Sequence, residues 1–168
     1  MMIQLTSIND IDPKKIQHLA NNYAIKKNLR DSFPHPYSVE DATIFLELVS
    51  NGLVGHVFAI SLNSDFIGIG SIIPQNNEHR MNAEIGYWIG EEYWGKDYAT
   101  EAVKLLVKFA FEKRDIFRVY AYIYDFNKAS MRVLEKSGFR KEAILHSSVI
   151  KEGKLTDEHL YSILKQQI

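Results

Sequence analysis

Residues 92–100, Glu92-Tyr93-Trp94-Gly95-Lys96-Asp97-Tyr98-Ala99-Thr100, lie between a stretch of alternating apolar residues and a stripe of helical spacing. Upstream, Asn82–Gly90 puts Ala83, Ile85, Tyr87 and Ile89 on one face and Glu84, Gly86 and Trp88 on the other, as a strand does. Downstream, Ala99, Ala102, Val103, Leu106 and Ala110 share one side of a helix predicted over about Lys96–Lys113. The join is a strand-to-helix turn. The first N–H groups of a helix have no intrahelical partner and carry partial positive charge, so they bind phosphates. Gly95 lets the backbone approach an anion, Lys96 adds a positive charge, and the small Ala99 and Thr100 permit close packing. The same turn also reads as plain chain geometry, and one such turn does not decide between the two.

Working outward, residues 3–7 read as a strand, and Asp12 before Pro13 starts a helix predicted to run to about Lys27. Phe33-Pro34-His35-Pro36-Tyr37 cannot be regular helix, because each proline disfavours the α region in its predecessor. Ser38 caps a second helix that ends near Gly52. His56–Leu62 and Phe66–Ile73 form a hairpin around Asn63-Ser64-Asp65. Gly68 and Gly70 mark close backbone approach within the second of these strands. Phe117–Tyr124 alternates Val119, Ala121 and Ile123 against Tyr120, Tyr122 and Tyr124. A short helix starts near Asn127 and stops at Gly138. Phe139–Ile150 and Leu155–Leu164 close the chain as a hairpin around Lys151-Glu152-Gly153-Lys154. The order β-α-α-β-β-β-α-β-α-β-β predicts a mixed α/β (α+β) layer fold.

A length of 168 residues with no repeat or linker predicts one domain over 1–168. A domain of this size buries about 70% of its unfolded-chain surface and needs no staple. Twenty Lys+Arg against twenty-one Asp+Glu give a net charge of −1, unlike the basic footprint of a dedicated nucleic-acid binder. The absence of cysteine excludes a disulfide scaffold, a thiolate metal site and an acyl-cysteine intermediate. The six histidines are scattered without metal-ligand spacing, and no metal is assigned. MMIQLTSIND lacks the pattern of a secretory signal, and no apolar run reaches the ~20 residues of a membrane helix. A cytoplasmic protein without a membrane partner is expected.

A second segment, Asp125-Phe126-Asn127-Lys128-Ala129-Ser130-Met131-Arg132 through Gly138-Phe139, follows the Phe117–Tyr124 strand. Singly its parts read as a helix cap, a first-turn polar residue and a solvated basic face with Lys128, Arg132 and Lys136. Taken with residues 92–100, it resembles the GCN5-related N-acetyltransferase (GNAT) superfamily over nearly the whole chain. The details are most similar to the branch typified by ribosomal-protein alanine N-acetyltransferases: Pro36-Tyr37, Ala83-Glu84-Ile85-Gly86-Tyr87-Trp88-Ile89, Trp94-Gly95-Lys96 and Ala99-Thr100-Glu101-Ala102.

That resemblance implies a mostly antiparallel sheet of about seven strands with about four helices, and acetyl-CoA as cosubstrate. Its family loop, Gln/Arg-x-x-Gly-x-Gly/Ala, holds the coenzyme A pyrophosphate. The cofactor-binding set it implies is Tyr87, Trp88, Ile89, Trp94, Gly95, Lys96, Asp97, Tyr98, Ala99, Thr100, Asn127, Ser130 and Arg132. Strands that splay after Tyr87–Ile89 would leave backbone N–H groups for the pantetheine and the thioester oxygen. Three positions depart from the family. Glu92 and Asp97 replace Gln/Arg and Gly/Ala in the loop, and Leu134 stands where many members carry an acid tyrosine.

The expected acceptor is a primary amine, either a protein N-terminus or a small molecule, with direct transfer in a ternary complex expected from a monomer or homodimer. Glu84 is the candidate base and Ser130 the candidate proton donor or relay, with Tyr124 and Tyr87 in reserve. Glu84 also reads as an exposed strand carboxylate. Asn28–Tyr37 and His146–Lys154 are expected to line the acceptor side. A non-catalytic coenzyme A-binding module, or use of another acyl donor, are the alternative functions.

Overall fold

The computed structural model describes residues 2–113 and 115–167. Its seven strands are β1 (Ile3–Ser7), β2 (His56–Leu62), β3 (Asp65–Pro74), β4 (Asn82–Ile89), β5 (Arg118–Tyr124), β6 (Arg140–Lys151) and β7 (Lys154–Leu164). They form one sheet in the order β1-β2-β3-β4-β5-β7-β6. Only β4 and β5 run parallel; their crossover is the helix α4 (Tyr98–Lys113). The remaining helices are α1 (Pro13–Ala20), α2 (Tyr23–Lys26), α3 (Val39–Ser50) and α5 (Lys128–Lys136).

The periodicities place the layers. On one face, Ala83 and Ile85 of β4, Val119, Ala121 and Ile123 of β5 and Tyr161 and Ile163 of β7 pack on Val103, Leu106 and Ala110 of α4 and Met131 and Leu134 of α5. Leu106 is wholly buried, and truncating it to alanine should cost about 2–5 kcal/mol. On the other face, Ile16, Leu19 and Ala20 of α1 and Ala42 of α3 cover Ala59, Phe66 and Ile69. Gly70 makes the α4 contact possible, since a Cβ there would meet Leu106 Cδ1 at 2.9 Å, and at Gly68 one would meet the Trp88 carbonyl oxygen at 2.2 Å. The paired glycines therefore serve close approach, as expected.

Two boundaries differ from the sequence reading. The first helix does not continue to Lys27, so there are five helices rather than four. Asn21 accepts the Tyr37 N–H through Oδ1, and Asn22 caps α2 by accepting the Ala24 N–H. Both side chains compete with continued helix, as Asn does. The long helix begins at Tyr98 rather than Lys96, because Gly95 and Asp97 both take left-handed backbone, φ 74° and 58°. At the second helix the expectation holds: Ser38 and Asp41 form a reciprocal capping box.

Candidate active site

The parallel pairing of β4 and β5 covers only Asn82–Glu84 against Arg118–Tyr120. Beyond it the strands part. The Gln75 N–H donates to the Asn82 carbonyl and the Gly90 N–H to the Ile67 carbonyl, so even-numbered β4 residues bond to β3. Pairing alternates along an antiparallel ladder, which turns the peptide groups of Tyr87 and Ile89 toward the gap. A cavity of about 720 Å³ fills this gap, running from the 94–100 turn and α5 to Glu84, Tyr122, Tyr124 and Glu158. The splay is present but begins after Glu84, ahead of Tyr87–Ile89 rather than after them.

One end of the cavity is cationic. Lys96, Arg132 and Lys136 line it beside the first turn of α4. Lys96 Nζ donates to the Glu92 carbonyl, and Lys136 Nζ lies 2.6 Å from Asp97 Oδ1. Asp97 therefore faces a lysine rather than open solvent alone, and it accepts the Glu101 N–H at the cap position instead of lying inside the first turn. The Trp94 indole N–H donates to the Ile89 carbonyl at 2.7 Å, fixing the turn to the end of β4. Thr100 is buried, and its Oγ1 has no hydrogen-bond partner among the described residues. An orphaned hydroxyl, three cations and a helix N-terminus fit a phosphorylated cosubstrate such as acetyl-CoA. Tyr98 and Ala99 line the same wall.

The middle of the cavity carries hydroxyls. Asn127 caps α5 by accepting the Ser130 N–H, and Ser130 Oγ lies 2.7 Å from the Tyr87 hydroxyl. Burial pushes the Tyr87 phenol up, with the Ser130 hydrogen bond opposing it, so this pair stays protonated. Burial likewise raises the Tyr124 phenol. Leu134, at the position where many family members carry an acid tyrosine, is fully buried in the core and points no functional group at the gap. Trp88 lines the cavity and packs edge-on against Phe33 and Phe66.

The far end mixes charges. Glu84 is half-buried there and pairs with Arg30 at 3.1 Å. Asn28, Leu29 and Arg30 line this end, as do Val149 and Glu158. The Pro34–Tyr37 stretch is instead a bend: Tyr37 is buried and stacks near Phe33 with ring centroids 4.9 Å apart. The sequence marks Glu84, Asp97, Tyr87, Ser130 and Lys136 but not Arg30, and it gives none of the pairings Arg30–Glu84, Lys136–Asp97 or Tyr87–Ser130. No motif spacing links partners so far apart in the chain.

Residues 4–140 match the model of the acetyltransferase (GNAT) domain. The chain belongs to this family. A Bacillus licheniformis relative, the uncharacterized N-acetyltransferase p20, is 35% identical over 97 residues, covering 58% of this chain and 53% of its own. The chain spans about half to three-fifths of the first curated relatives it matches. Solved structures share the fold, among them the following two. Mycobacterium smegmatis RimJ in complex with CoA-disulfide has a TM-score of 0.86 at 20% identity, covering 99% of this chain and 83% of that one. Spermidine N-acetyltransferase from Vibrio cholerae in complex with CoA and spermine has a TM-score of 0.82 at 22% identity, with 98% and 96% covered. Among the described residues no helix is long and apolar enough to cross a membrane, and no group of three His, Asp or Glu could hold a metal ion.

Proposed function

We propose that the protein is an acetyl-CoA-dependent N-acetyltransferase that moves acetyl directly to a primary amine in a ternary complex. The observation that carries this reading is one cavity joining a cationic, helix-capped end to a carboxylate-bearing end through the gap between β4 and β5. The coenzyme's phosphates belong at Lys96, Arg132, Lys136 and Thr100, and the thioester in the gap beside Tyr87 and Ile89. The amine belongs near Glu84. The acceptor is a small amine or a protein N-terminus, and the unit that acts is a cytoplasmic domain of residues 1–168, monomeric or homodimeric.

Chemistry then follows from the groups present. The Glu84 carboxylate takes a proton from the ammonium, directly or through water, and the freed nitrogen attacks the thioester carbon. Backbone N–H groups of the gap stabilise the oxyanion. As the C–S bond breaks, the nitrogen gives up its second proton to solvent, the departing sulfur takes a proton from the Ser130–Tyr87 pair, which is refilled from solvent, and Glu84 releases its proton to solvent. Much of the rate comes from holding amine and thioester together.

Titration calorimetry with coenzyme A, followed by a thiol-release assay on aliphatic amines and on peptides with N-terminal Ala, Ser or Met, tests the reading. Binding plus saturable, amine-dependent thiol release is expected. No coenzyme A binding would remove its base, and binding without turnover on any amine would favour a coenzyme A-binding module.

A further inference from the structure

The amine end holds an ion pair that the reaction itself does not use. Arg30 Nη2 lies 3.1 Å from Glu84 Oε1. The Arg30 side chain is 73% exposed and that of Glu84 22%, so the guanidinium reaches in from solvent to a carboxylate set in the cavity wall. Burial is the main cause of the raised Tyr120 and Tyr124 phenols; Arg118 opposes it at Tyr120 and Lys151 at Tyr124, and the Arg30 charge adds a smaller opposing effect at both. The guanidinium therefore acts on the face shared by Glu84, Tyr120 and Tyr124.

The backbone that carries Arg30 is anchored next door. Asp31 accepts from Lys151 Nζ at 2.5 Å and from the Glu152 N–H at 3.1 Å, and the Lys151 side chain is only 4% exposed. Lys26 and Lys151 both pair with Asp31 and Glu152, and Arg118 pairs with Glu142. The strap is fixed and the cations Lys26, Lys151 and Arg118 are engaged, whereas the exposed Arg30 side chain is placed to swing outward.

We propose that Arg30 is an internal stand-in for the acceptor's ammonium on Glu84, so that an acceptor binds by evicting it. This rests on the N-acetyltransferase reading and names its acceptor class: aliphatic primary amines that are protonated in solution. Only a cation replaces what Glu84 loses when Arg30 leaves. A neutral amine, such as an aromatic one, meets the same eviction without that compensation. Arg30 is thus a specificity-determining residue. Exposed pairs of this kind are held by a factor of about two to five, which sets the size of the threshold.

The test is calorimetric binding of 1,4-diaminobutane to the coenzyme A complex of the full chain. The proteins are the parent, Arg30→Gln, Arg30→Lys, Glu84→Gln and the double variant Arg30→Gln/Glu84→Gln. The diamine should bind Arg30→Gln about two- to five-fold more tightly than the parent, while Arg30→Lys stays near the parent. The gain should vanish when Glu84 is Gln. Unchanged or weaker binding by Arg30→Gln, the same gain in the Glu84→Gln background, or no diamine binding by any of the proteins would overturn the proposal. Coenzyme A binding to each protein is measured first, in a separate titration. Its loss in the parent would sink the acetyltransferase reading, whereas its retention with no Arg30 effect sinks only the stand-in.

Discussion

The two ends of the cavity solve opposite electrostatic problems with the same device. At the phosphate end a cation, Lys136, is partnered by Asp97, while at the amine end a carboxylate, Glu84, is partnered by Arg30. Each partner has the charge of the ligand that the end is suited to receive. The ends differ in what else is there. Lys96, Arg132, the α4 N-terminus and the unpartnered Thr100 hydroxyl remain for phosphate even while Lys136 is engaged. Glu84 has no such reserve beside it; Glu158 lines the same end and takes a hydrogen bond from Ser148. The phosphate end should therefore tolerate single changes, and the amine end should not.

The largest expected effect breaks the amine end. Glu84→Gln should lower turnover by about 10²–10⁴-fold, the usual span for a positioned base. Thiol release with a saturating amine measures it, and a loss under threefold would show the carboxylate to be only a wall residue.

Next comes the shared middle. Ser130→Ala should reduce turnover about tenfold, because the Tyr87 hydroxyl 2.7 Å away can still donate. Replacing both, Ser130→Ala with Tyr87→Phe, should cost more than the two single losses combined if either can serve in the other's absence. Steady-state rates of the three variants decide this.

A smaller change sharpens the phosphate end. Asp97→Gly removes a side chain from left-handed backbone and frees Lys136. Coenzyme A should bind a few-fold more tightly by calorimetry, in line with the modest worth of exposed pairs. Weaker binding would mean that Asp97 organises the turn.

The smallest effect is on stability. A hydrogen bond from Lys151 holds the Asp31 carboxyl below its usual range; Arg118 does the same for Glu142, and the Ser147 N–H for Asp157. Groups depressed in the folded state stabilise it above their unfolded values, near pH 4, and lose that contribution as pH falls through the folded values. The melting temperature should be flat through neutral pH and fall below about pH 4, with Lys151→Met flattening part of that fall. An identical acid limb in that variant would remove Asp31 from the account.

Much of the fold was legible because one-dimensional patterns carry it. The alternation of Ala83–Ile89, the stripe Ala99–Ala110 and the caps Asp12, Ser38 and Asn127 are local, and each appears where its spacing put it. The break at Asn21-Asn22 was hidden because its cause is tertiary: the Asn21 side chain is taken by the distant Tyr37 N–H. The delayed start of α4 was hidden in backbone dihedrals, since a left-handed Asp97 has no marker of its own in the sequence. At the site, the 92–100 turn and Asn127–Ser130 announced themselves by motif. Arg30 did not, because it lies in an irregular strap and gains meaning only from Glu84, 54 residues away.

The most direct measurement is a paired one on Glu84→Gln: coenzyme A affinity by calorimetry and turnover by thiol release, beside the parent protein. Separate ends predict a coenzyme A affinity within about twofold of the parent and a turnover lower by about 10²-fold or more. Parent-like turnover, or affinity and turnover falling together, would contradict it.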